Sequence, residues 1–186
     1  MNKIAGVLGL QGAYEKHLQM LKLLGMESFI VRYPEEIKKC DGLVIPGGES
    51  STISKLSEQM ELRKPLADYQ KPILATCAGV ILMSENEPTD KVKPLNKIPL
   101  QCERNAYGRQ IESFSADIKL EEDTDPFPAI FIRAPKISKI TSDRVNVLAE
   151  FEDSPVLVQY KNIIAATFHP ELSPDTRIHE KFINLL

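Results

Sequence analysis

Short, almost wholly apolar segments alternate with helix-like segments in the first 83 residues, and this alternation constrains the fold more than any other feature of the chain. The apolar segments have the length of strands buried on both faces, and they comprise residues 4–10, 28–31, 42–45 and 73–76. The segments that follow them predict helices at residues 13–24, 35–39, 51–69 and 78–83. We expect the third helix to bend near Pro65. Strands and helices in this order favour a parallel sheet with helices on both faces.

The second half of the chain has a different pattern. A polar, proline-bearing stretch at residues 85–96 has no clear period and predicts a loop. Apolar runs beyond it predict strands at residues 111–120, 129–133, 145–151, 156–160 and 163–167, followed by a closing helix at residues 175–186. A chain of 186 residues can bury about 70% of its unfolded surface, which suffices for one core. We therefore predict a single α/β domain over residues 1–186, with a mostly parallel central sheet flanked by helices.

Charge and cysteine content exclude several classes of function. The 23 basic and 26 acidic residues give a net charge of −3, whereas nucleic-acid-binding proteins usually have a basic surplus. No apolar run approaches a membrane span, and the first run stops at Gln11-Gly12 without a small-residue cleavage site, so we expect neither a membrane anchor nor a signal peptide. The three cysteines are odd in number and far apart, which excludes a disulfide framework and a zinc site. We expect a cytoplasmic protein without metal or cofactor.

Three unusual segments lie where predicted parallel strands end: Gln11-Gly12, Pro46-Gly47-Gly48 and Cys77. Ligands of open α/β sheets bind at this edge. Glycines at 47 and 48 would let backbone N–H groups approach a developing oxyanion, although most such turns are bare loops. The segment does not match the G-x-x-x-x-G-K-[ST] pattern, which excludes a phosphate-binding P-loop. The coincidence of the three segments predicts a functional site at the carboxyl edge of the sheet.

Cys77 stands where a predicted strand becomes a helix. Its neighbours from Ala75 to Gly79 are small, as a nucleophile elbow requires, because bulky side chains would collide with the strand and the helix at so sharp a turn. The first amides of the helix would also offer a donor to an oxyanion. The competing interpretation is a buried structural cysteine, the commonest fate of a free cysteine.

A cysteine nucleophile needs a base, and the chain has three histidines. His17 and His179 lie in predicted helices, and we interpret both as solvated helix residues. His169 follows the last predicted strand, and Pro170 keeps it extended, so that Glu171 is expected to point to the same side and to orient the imidazole. The competing interpretation of this His-Pro-Glu sequence is a surface loop of mixed charge.

Three arginines are candidates for binding a carboxylate. Arg104 and Arg109 lie in an unusually polar segment before a predicted strand, and Arg133 closes the strand that begins at Ala129. Guanidinium groups at strand ends can hold a substrate carboxylate through two parallel hydrogen bonds. Arginines in such positions are more often solvated, so the pattern alone leaves both interpretations open.

A glycine turn, a cysteine elbow and a terminal His-x-Glu, in that order on an α/β sheet, resemble the triad-type (class I) glutamine amidotransferases. Within that family the chain is similar, over nearly its whole length, to the glutaminase subunits of pyridoxal 5′-phosphate synthase. The similarity rests on residues 9–13 (GLQGA), 46–50 (PGGES), 76–79 (TCAG), 104–110 (RNAYGRQ), 113–114 (SF), 131–135 (FIRAP) and 168–172 (FHPEL). The segments at 104–110 and 131–135 distinguish these subunits from other glutaminases of the family.

The resemblance implies a flavodoxin-like three-layer fold and the hydrolysis of L-glutamine to L-glutamate and ammonia. It implies that Cys77 attacks the side-chain amide to form a thioester, that His169 relays protons and that Glu171 holds the imidazole ring. It also implies oxyanion donors at Gly48 and Ala78. The positions that match glutamine-binding residues of the family are Gly48, Glu49, Ser50, Arg104, Ile132 and Arg133, and Gln11 matches a position tied to the subunit interface and to activation.

The resemblance further implies a partner. In the family, a synthase subunit with a (β/α)₈-barrel fold receives the ammonia in a hetero-oligomer and builds pyridoxal 5′-phosphate from a pentose phosphate and a triose phosphate. It implies no nucleic-acid or membrane partner. Three alternatives stay open: a glutaminase of another amidotransferase such as the histidine-pathway enzyme, a catalytically silent regulatory subunit, and an α/β cysteine protein of the stress or peptidase type.

Overall fold

A computed structural model describes residues 3–104, 113–121 and 123–186. The strands are β1 (Ile4–Leu8), β2 (Glu27–Val31), β3 (Gly42–Ile45), β4 (Ile73–Thr76), β5 (Leu100–Glu103), β6 (Ser113–Ile118), β7 (Phe127–Ile132), β8 (Lys136–Ile140), β9 (Asn146–Phe151), β10 (Ser154–Tyr160) and β11 (Ile163–Ala166). The helices are α1 (Tyr14–Leu23), α2 (Pro34–Ile37), α3 (Ser50–Gln59), α4 (Arg63–Asp68), α5 (Ala78–Met83) and α6 (Arg177–Ile183), and a 3₁₀ turn spans Pro170–Leu172.

Seven strands form one sheet in the order β2-β1-β3-β4-β11-β10-β9. The first five of these run parallel, whereas β10 is antiparallel to both β11 and β9. Two further strand pairs, β5–β8 and β6–β7, are antiparallel and lie outside this sheet. The mostly parallel α/β architecture predicted from the sequence is therefore confirmed.

The central strands are wholly apolar because helices cover both faces of the sheet. In β3, Leu43 and Ile45 belong to a core that includes residues of α3, α4 and α5, while the intervening Val44 belongs to a second core with residues of α1 and α6. Alternate side chains of a strand point to opposite faces, so the two cores lie on opposite sides of the sheet. The result is the three-layer arrangement that the resemblance implies.

Aromatic side chains join the β6–β7 pair to the main sheet. Phe131 of β7 stacks on Phe114 at a centroid distance of 4.7 Å and packs against Phe151 of β9 and Phe168, at 5.5 and 5.7 Å. The backbone N–H of His169 donates to the carbonyl of Ile130 at 2.8 Å. These contacts bring the end of β7 to the carboxyl edge of the parallel strands.

The structure corrects several predicted elements. The helix predicted at residues 51–69 is wrong: the chain forms α3 and α4, separated at Glu61, whose φ of 56° ends the first helix. Pro65 lies in the first turn of α4, where a missing N–H leaves no intrahelical bond unmade. β1 ends at Leu8 and the closing helix is confined to Arg177–Ile183.

β5 and β8, two short strands paired with each other, were not predicted from the sequence. Their mixed composition lacks the uniform apolar character of strands buried on both faces. The predicted strands 129–133, 145–151, 156–160 and 163–167 are present with shifted ends, and the loop at 85–96 is confirmed. Residues 111 and 112 of the strand predicted at 111–120 lie outside the described residues, and β6 occupies Ser113–Ile118.

Candidate active site

The strand order β1-β3-β4-β11 brings four predicted site segments side by side. Gln11 follows β1, Gly47 and Gly48 follow β3, Cys77 follows β4 and His169 follows β11. A cavity of about 520 Å³ opens at this edge. It is lined by Gln11, Gly48, Glu49, Ser50, Cys77, Ala78, Ile81, Arg104, Ser113, Ile132, Arg133, Pro135 and His169. Among the described residues, all predicted site residues except Gly47 and Glu171 therefore line one cavity, and Glu171 lies behind His169.

Cys77 is held in the sharp turn that the sequence predicted. Its φ of 48° and ψ of −112° place a residue with a side chain in a conformation that glycine favours, and such strain is concentrated at functional sites. A side chain at Gly79 would come within 2.3 Å of the carbonyl oxygen of Ile45, so only glycine lets α5 approach β3. The Sγ atom is directed into the site and lies 3.8 Å from the carbonyl oxygen of Ile132.

The thiols of the other two cysteines, Cys40 and Cys102, are less readily deprotonated than an ordinary thiol. Burial raises the pKa of the Cys40 thiol to about 11 and that of the Cys102 thiol to about 12. Both therefore stay protonated at neutral pH, and neither lines the cavity. Cys77 is the cysteine placed to react.

His169 and Glu171 form a buried pair. The Nδ1 atom of His169 lies 2.7 Å from Oε1 of Glu171, and the two residues are 7% and 3% exposed. They meet through the 3₁₀ turn, so the predicted extended geometry at Glu171 is wrong, because the chain turns at Pro170 as soon as it leaves β11. Because Nδ1–H of His169 donates to the carboxylate, Nε2 is the ring nitrogen that can gain or lose a proton on the other side of the imidazole.

Gly47 separates His169 from Cys77. A side chain built on this glycine would lie 2.6 Å from Cε1 of His169 and 2.9 Å from Cβ of Cys77. The imidazole and the cysteine therefore flank one stretch of bare backbone. The glycine requirement at this position comes from the close approach of two site residues.

The pKa shifts of His169 and Glu171 favour a positively charged imidazole beside a negatively charged carboxylate. Burial lowers the pKa of His169, but hydrogen bonding and charge from Cys77 and Glu171 outweigh burial and raise it to about 10. Burial raises the pKa of Glu171, but His17 and His169 outweigh this effect and lower it. The geometry thus supports a negatively charged Glu171 beside an imidazole that can hold a proton.

The amides of the glycine turn are not equivalent. The Gly47 N–H donates to Oγ1 of Thr76 at 3.1 Å, and the Glu49 N–H donates to Oε1 of Gln11 at 2.6 Å. Gly48, between these two amides, lines the cavity. Ala78 opens α5, so its N–H has no partner within the helix.

Glu49 and Arg104 are tied to each other. The Glu49 carboxylate caps α3 by accepting from the Thr52 N–H at 2.7 Å, and hydrogen bonds from the Ser51 hydroxyl and from Thr52 lower its pKa to about 2. Nη2 of Arg104 lies 2.9 Å from the same carboxylate. The pair forms one wall of the cavity.

The remaining predicted residues also reach the cavity. Arg133 has a φ of 44°, which turns its side chain away from the path of β7, and the neighbouring Ile132 is 38% exposed. The Oγ atom of Ser50 is buried and has no hydrogen-bond partner among the described residues. Arg109 lies outside the described residues. Ile81, Ser113 and Pro135 also line the cavity although the sequence did not indicate them as site residues.

His17 and His179 are not solvated, contrary to the sequence interpretation. Both are fully buried, and Nδ1 of His17 lies 2.9 Å from Nε2 of His179. The helices that carry them pack on the same face of the sheet, behind Glu171. The spacing of His17 from the buried Met20 and Leu21, three and four residues later, was a usable signal.

The described residues show neither a metal centre nor a membrane span. No group of three or more His, Cys, Asp or Glu side chains among them is arranged to hold a metal ion. Within the same part of the chain, no helix is long and apolar enough to cross a bilayer.

Comparison with known proteins gives one consistent result. A protein from Thermosipho africanus named pyridoxal 5′-phosphate synthase subunit PdxT is 45% identical, over 97% of both chains. A protein of the same name from Thermotoga petrophila is 43% identical, over 97% of this chain and 98% of its own. A crystal structure described as a glutamine amidotransferase superimposes with a TM-score of 0.88 at 37% identity, over 97% of both chains. Residues 7–186 match the sequence model of the SNO glutamine amidotransferase family, and the chain belongs to that family.

Proposed function

We propose that this chain is a glutaminase that hydrolyses L-glutamine to L-glutamate and ammonia and delivers the ammonia to a pyridoxal 5′-phosphate synthase subunit. The observation that carries the proposal is the meeting of Cys77, the His169–Glu171 pair and the Gly47-Gly48 turn at one cavity. Family membership and the name of the two relatives support the choice of substrate and of end product.

In the first step, the Cys77 thiolate attacks the side-chain amide carbon of glutamine. The carbonyl oxygen becomes an oxyanion, and we assign its stabilisation to the N–H groups of Gly48 and Ala78, two residues that line the cavity. His169 then gives its Nε2 proton to the amide nitrogen, the carbon–nitrogen bond breaks, and ammonia leaves a γ-glutamyl thioester on Cys77. Glu171 keeps the imidazole oriented and stabilises its positive charge.

In the second step, His169 takes a proton from a water molecule that attacks the thioester carbon. The same two amides stabilise the second oxyanion, and its collapse breaks the carbon–sulfur bond. Glutamate leaves and the Cys77 thiolate is regenerated with the imidazole protonated, ready for the next cycle.

The far wall of the cavity supplies the contacts for the amino-acid end of glutamine. We assign the α-carboxylate to Arg133 and Arg104, because a guanidinium binds a carboxylate through two hydrogen bonds. Ser50 contributes a buried hydroxyl that is available to a ligand, and Glu49 and Ile132 complete the wall. Because Arg104 is already paired with Glu49, the two act as one unit.

The partner in this proposal is the (β/α)₈-barrel synthase subunit that the family resemblance implies, bound in a hetero-oligomer. Gln11 lines the cavity and binds the Glu49 amide next to Gly48, so a partner that contacts Gln11 would act directly on the oxyanion turn. The whole chain would serve as one glutaminase domain, since β9–β11 join the same sheet as β1–β4. Three unpaired thiols suit the cytoplasm.

The test is glutamate release from L-glutamine by the chain alone and with the synthase subunit, followed by pyridoxal 5′-phosphate formation from a pentose phosphate and a triose phosphate. We expect release to rise when the subunits are combined. We expect the complex with Cys77→Ala to form product from an ammonium salt but not from glutamine. Wild-type complex that forms product from ammonium only would instead show a silent regulatory subunit.

A further inference from the structure

A chain of buried polar side chains extends from Glu171 away from the cavity. Nε2 of His17 lies 3.3 Å from Oε2 of Glu171 and 3.2 Å from Oγ1 of Thr76, while its Nδ1 atom lies 2.9 Å from Nε2 of His179. The Thr76 hydroxyl also accepts the N–H of Gly47. These residues are fully buried or nearly so, and the mechanism above uses neither histidine.

The buried surroundings favour one placement of the imidazole protons of His17 and His179. The buried Oε2 of Glu171 makes no hydrogen bond of good geometry among the described residues, but Nε2 of His17 lies 3.3 Å from it, so a carboxylate there favours a proton on Nε2 of His17. Nδ1 of His17 is then an acceptor, and it accepts a hydrogen bond from the Nε2–H of His179. The opposite arrangement would aim a lone pair of His17 at the carboxylate and bury the Nδ1–H of His179 without an acceptor.

We propose that His17 is a positioning residue that holds Glu171 from the side opposite His169, and that His179 fixes the proton of His17 in the position this requires. The proposal rests on the proposed glutaminase function. His169 and His17 would each hold one oxygen of the Glu171 carboxylate, which fixes the rotation of the carboxylate and, through it, the plane of the catalytic imidazole.

The same histidine connects the two halves of the active site. Oγ1 of Thr76 lies 3.2 Å from Nε2 of His17 and accepts the amide of Gly47, which is the residue wedged between Cys77 and His169. Loss of His17 would therefore loosen the carboxylate and the glycine turn together. Glu49 and Ser50, on the substrate wall, have no part in this chain of contacts.

Neutral histidines suit this role. The charged or titratable groups facing His17 are Glu171, His169 and His179. Burial lowers the pKa of His17 and outweighs the opposing effect of Glu171. Burial, with His17, lowers the pKa of His179 to about 3. A neutral His17 has one N–H, which faces both Oε2 of Glu171 and Oγ1 of Thr76, and it does not compete with His169 for the charge of Glu171.

The first test determines which imidazole nitrogens of His17 and His179 are protonated, and it does not depend on enzymatic activity. The chain has three histidines, so nitrogen-15 spectra of histidine-labelled full-length protein contain three imidazoles, assigned with His17→Gln and His179→Gln. We expect His17 and His179 to be neutral and protonated at Nε2 at pH 7. A charged His17, or one protonated at Nδ1, would overturn the proposal whatever the activity of the protein.

The second test uses glutamine hydrolysis by the complex with the synthase subunit. We expect His17→Leu to lower kcat about 10- to 100-fold with KM unchanged, and His17→Gln, which keeps a donor near the same place, to recover most of that loss. Met20→Ala, which removes a buried side chain one turn along α1, should leave kcat within about twofold. Equal losses in the two His17 variants would show a packing role only.

A double substitution separates action through Glu171 from damage to the fold. In a Glu171→Gln background, His17→Leu should lower kcat by less than about threefold, because the interaction it removes is already lost. Full additivity of the two losses would overturn the positioning role. A wild-type complex that hydrolyses no glutamine would overturn the proposed function, while the nitrogen-15 spectra would still decide the arrangement of protons.

Discussion

The two sides of His169 differ in how their polar groups are satisfied. On the open side, the cavity is bordered by Cys77, Arg133 and the Glu49–Arg104 pair, whose side chains are 44% and 43% exposed. On the buried side, Glu171 lies beside His17, which in turn contacts His179 and the hydroxyl of Thr76. Charges on the open side can be solvated or bind substrate, whereas each donor on the buried side must meet an acceptor within the protein.

This difference predicts that substitutions on the two sides of His169 affect different properties of the protein. Substitutions on the open wall should change the affinity for glutamine, because the lost contact is one that substrate would make. Substitutions on the buried side should change the orientation of the imidazole and the pH dependence of stability. Substitution of Cys77, the proposed nucleophile, should show the largest effect of all.

Cys77→Ala should abolish glutamine hydrolysis, with a loss of at least about 10⁴-fold, because the atom that forms the thioester is removed. Glutamate release by the complex measures the effect, and circular dichroism should show an unchanged fold. Cys102→Ala is the matched control, since that thiol is also buried but lies outside the cavity, and it should keep activity within about twofold. Hydrolysis retained in Cys77→Ala would remove this residue as the nucleophile.

Arg133→Ala should raise KM about 10- to 100-fold with little change in kcat, as expected for a lost hydrogen bond to a charged group. Steady-state hydrolysis over a range of glutamine concentrations measures both constants. Arg144→Ala provides the control, because Arg144 is exposed and does not line the cavity. An unchanged KM in Arg133→Ala would place this arginine outside the glutamine site.

The buried side should make stability sensitive to acid. Burial lowers the pKa of His179 to about 3, so between its ordinary value of about 6.5 and about 3 the unfolded chain binds a proton that the folded chain does not. Stability should therefore fall as pH drops through this window, by about 1.4 kcal/mol per pH unit for this one group.

Urea unfolding at pH 7 and pH 5 tests this expectation. His179→Gln, which cannot titrate, should lose less stability than the wild type between the two pH values. Identical losses in the two proteins would show that His179 is not kept neutral by the fold.

Glu49→Gln should have the smallest effect, a loss of about 1 kcal/mol in the free energy of unfolding at pH 7, because the carboxylate caps α3. The folded pKa of about 2 lies below the ordinary value, so the advantage of the carboxylate is present above pH about 4 and fades as pH falls. Urea unfolding at pH 7 and pH 3 measures it. Equal stability of the two proteins at pH 7 would show that the cap contributes nothing.

The sequence predicted best the elements bounded by strong local signals. The limits of β3, β4 and α5 were predicted without error, because glycine, proline and the small residues around Cys77 mark them. The break at Glu61 was missed, because a positive φ in a residue other than glycine leaves no local signal. Sequence reasoning also concentrated on Pro65, a residue that the first turn of a helix accepts.

The site could be predicted as far as the motifs extended. Three separate segments were predicted to meet at one edge because parallel strands share a carboxyl end, and residues of all three line the cavity. The buried histidines were misjudged because a helix pattern does not reveal which distant groups face it. His17 and His179 are 162 positions apart, and only the packing of α1 and α6 on one face brings them together.

The aromatic contacts of Phe131 also fix a length. Its ring lies between β7, which carries Ile132 and Arg133 into the cavity, and Phe168, which precedes His169. The position of Arg133 relative to the His169 imidazole is therefore set in part by the packing of these two rings in the core. A smaller side chain at 131 or 168 should therefore shift Arg133 relative to His169, although neither ring lines the cavity.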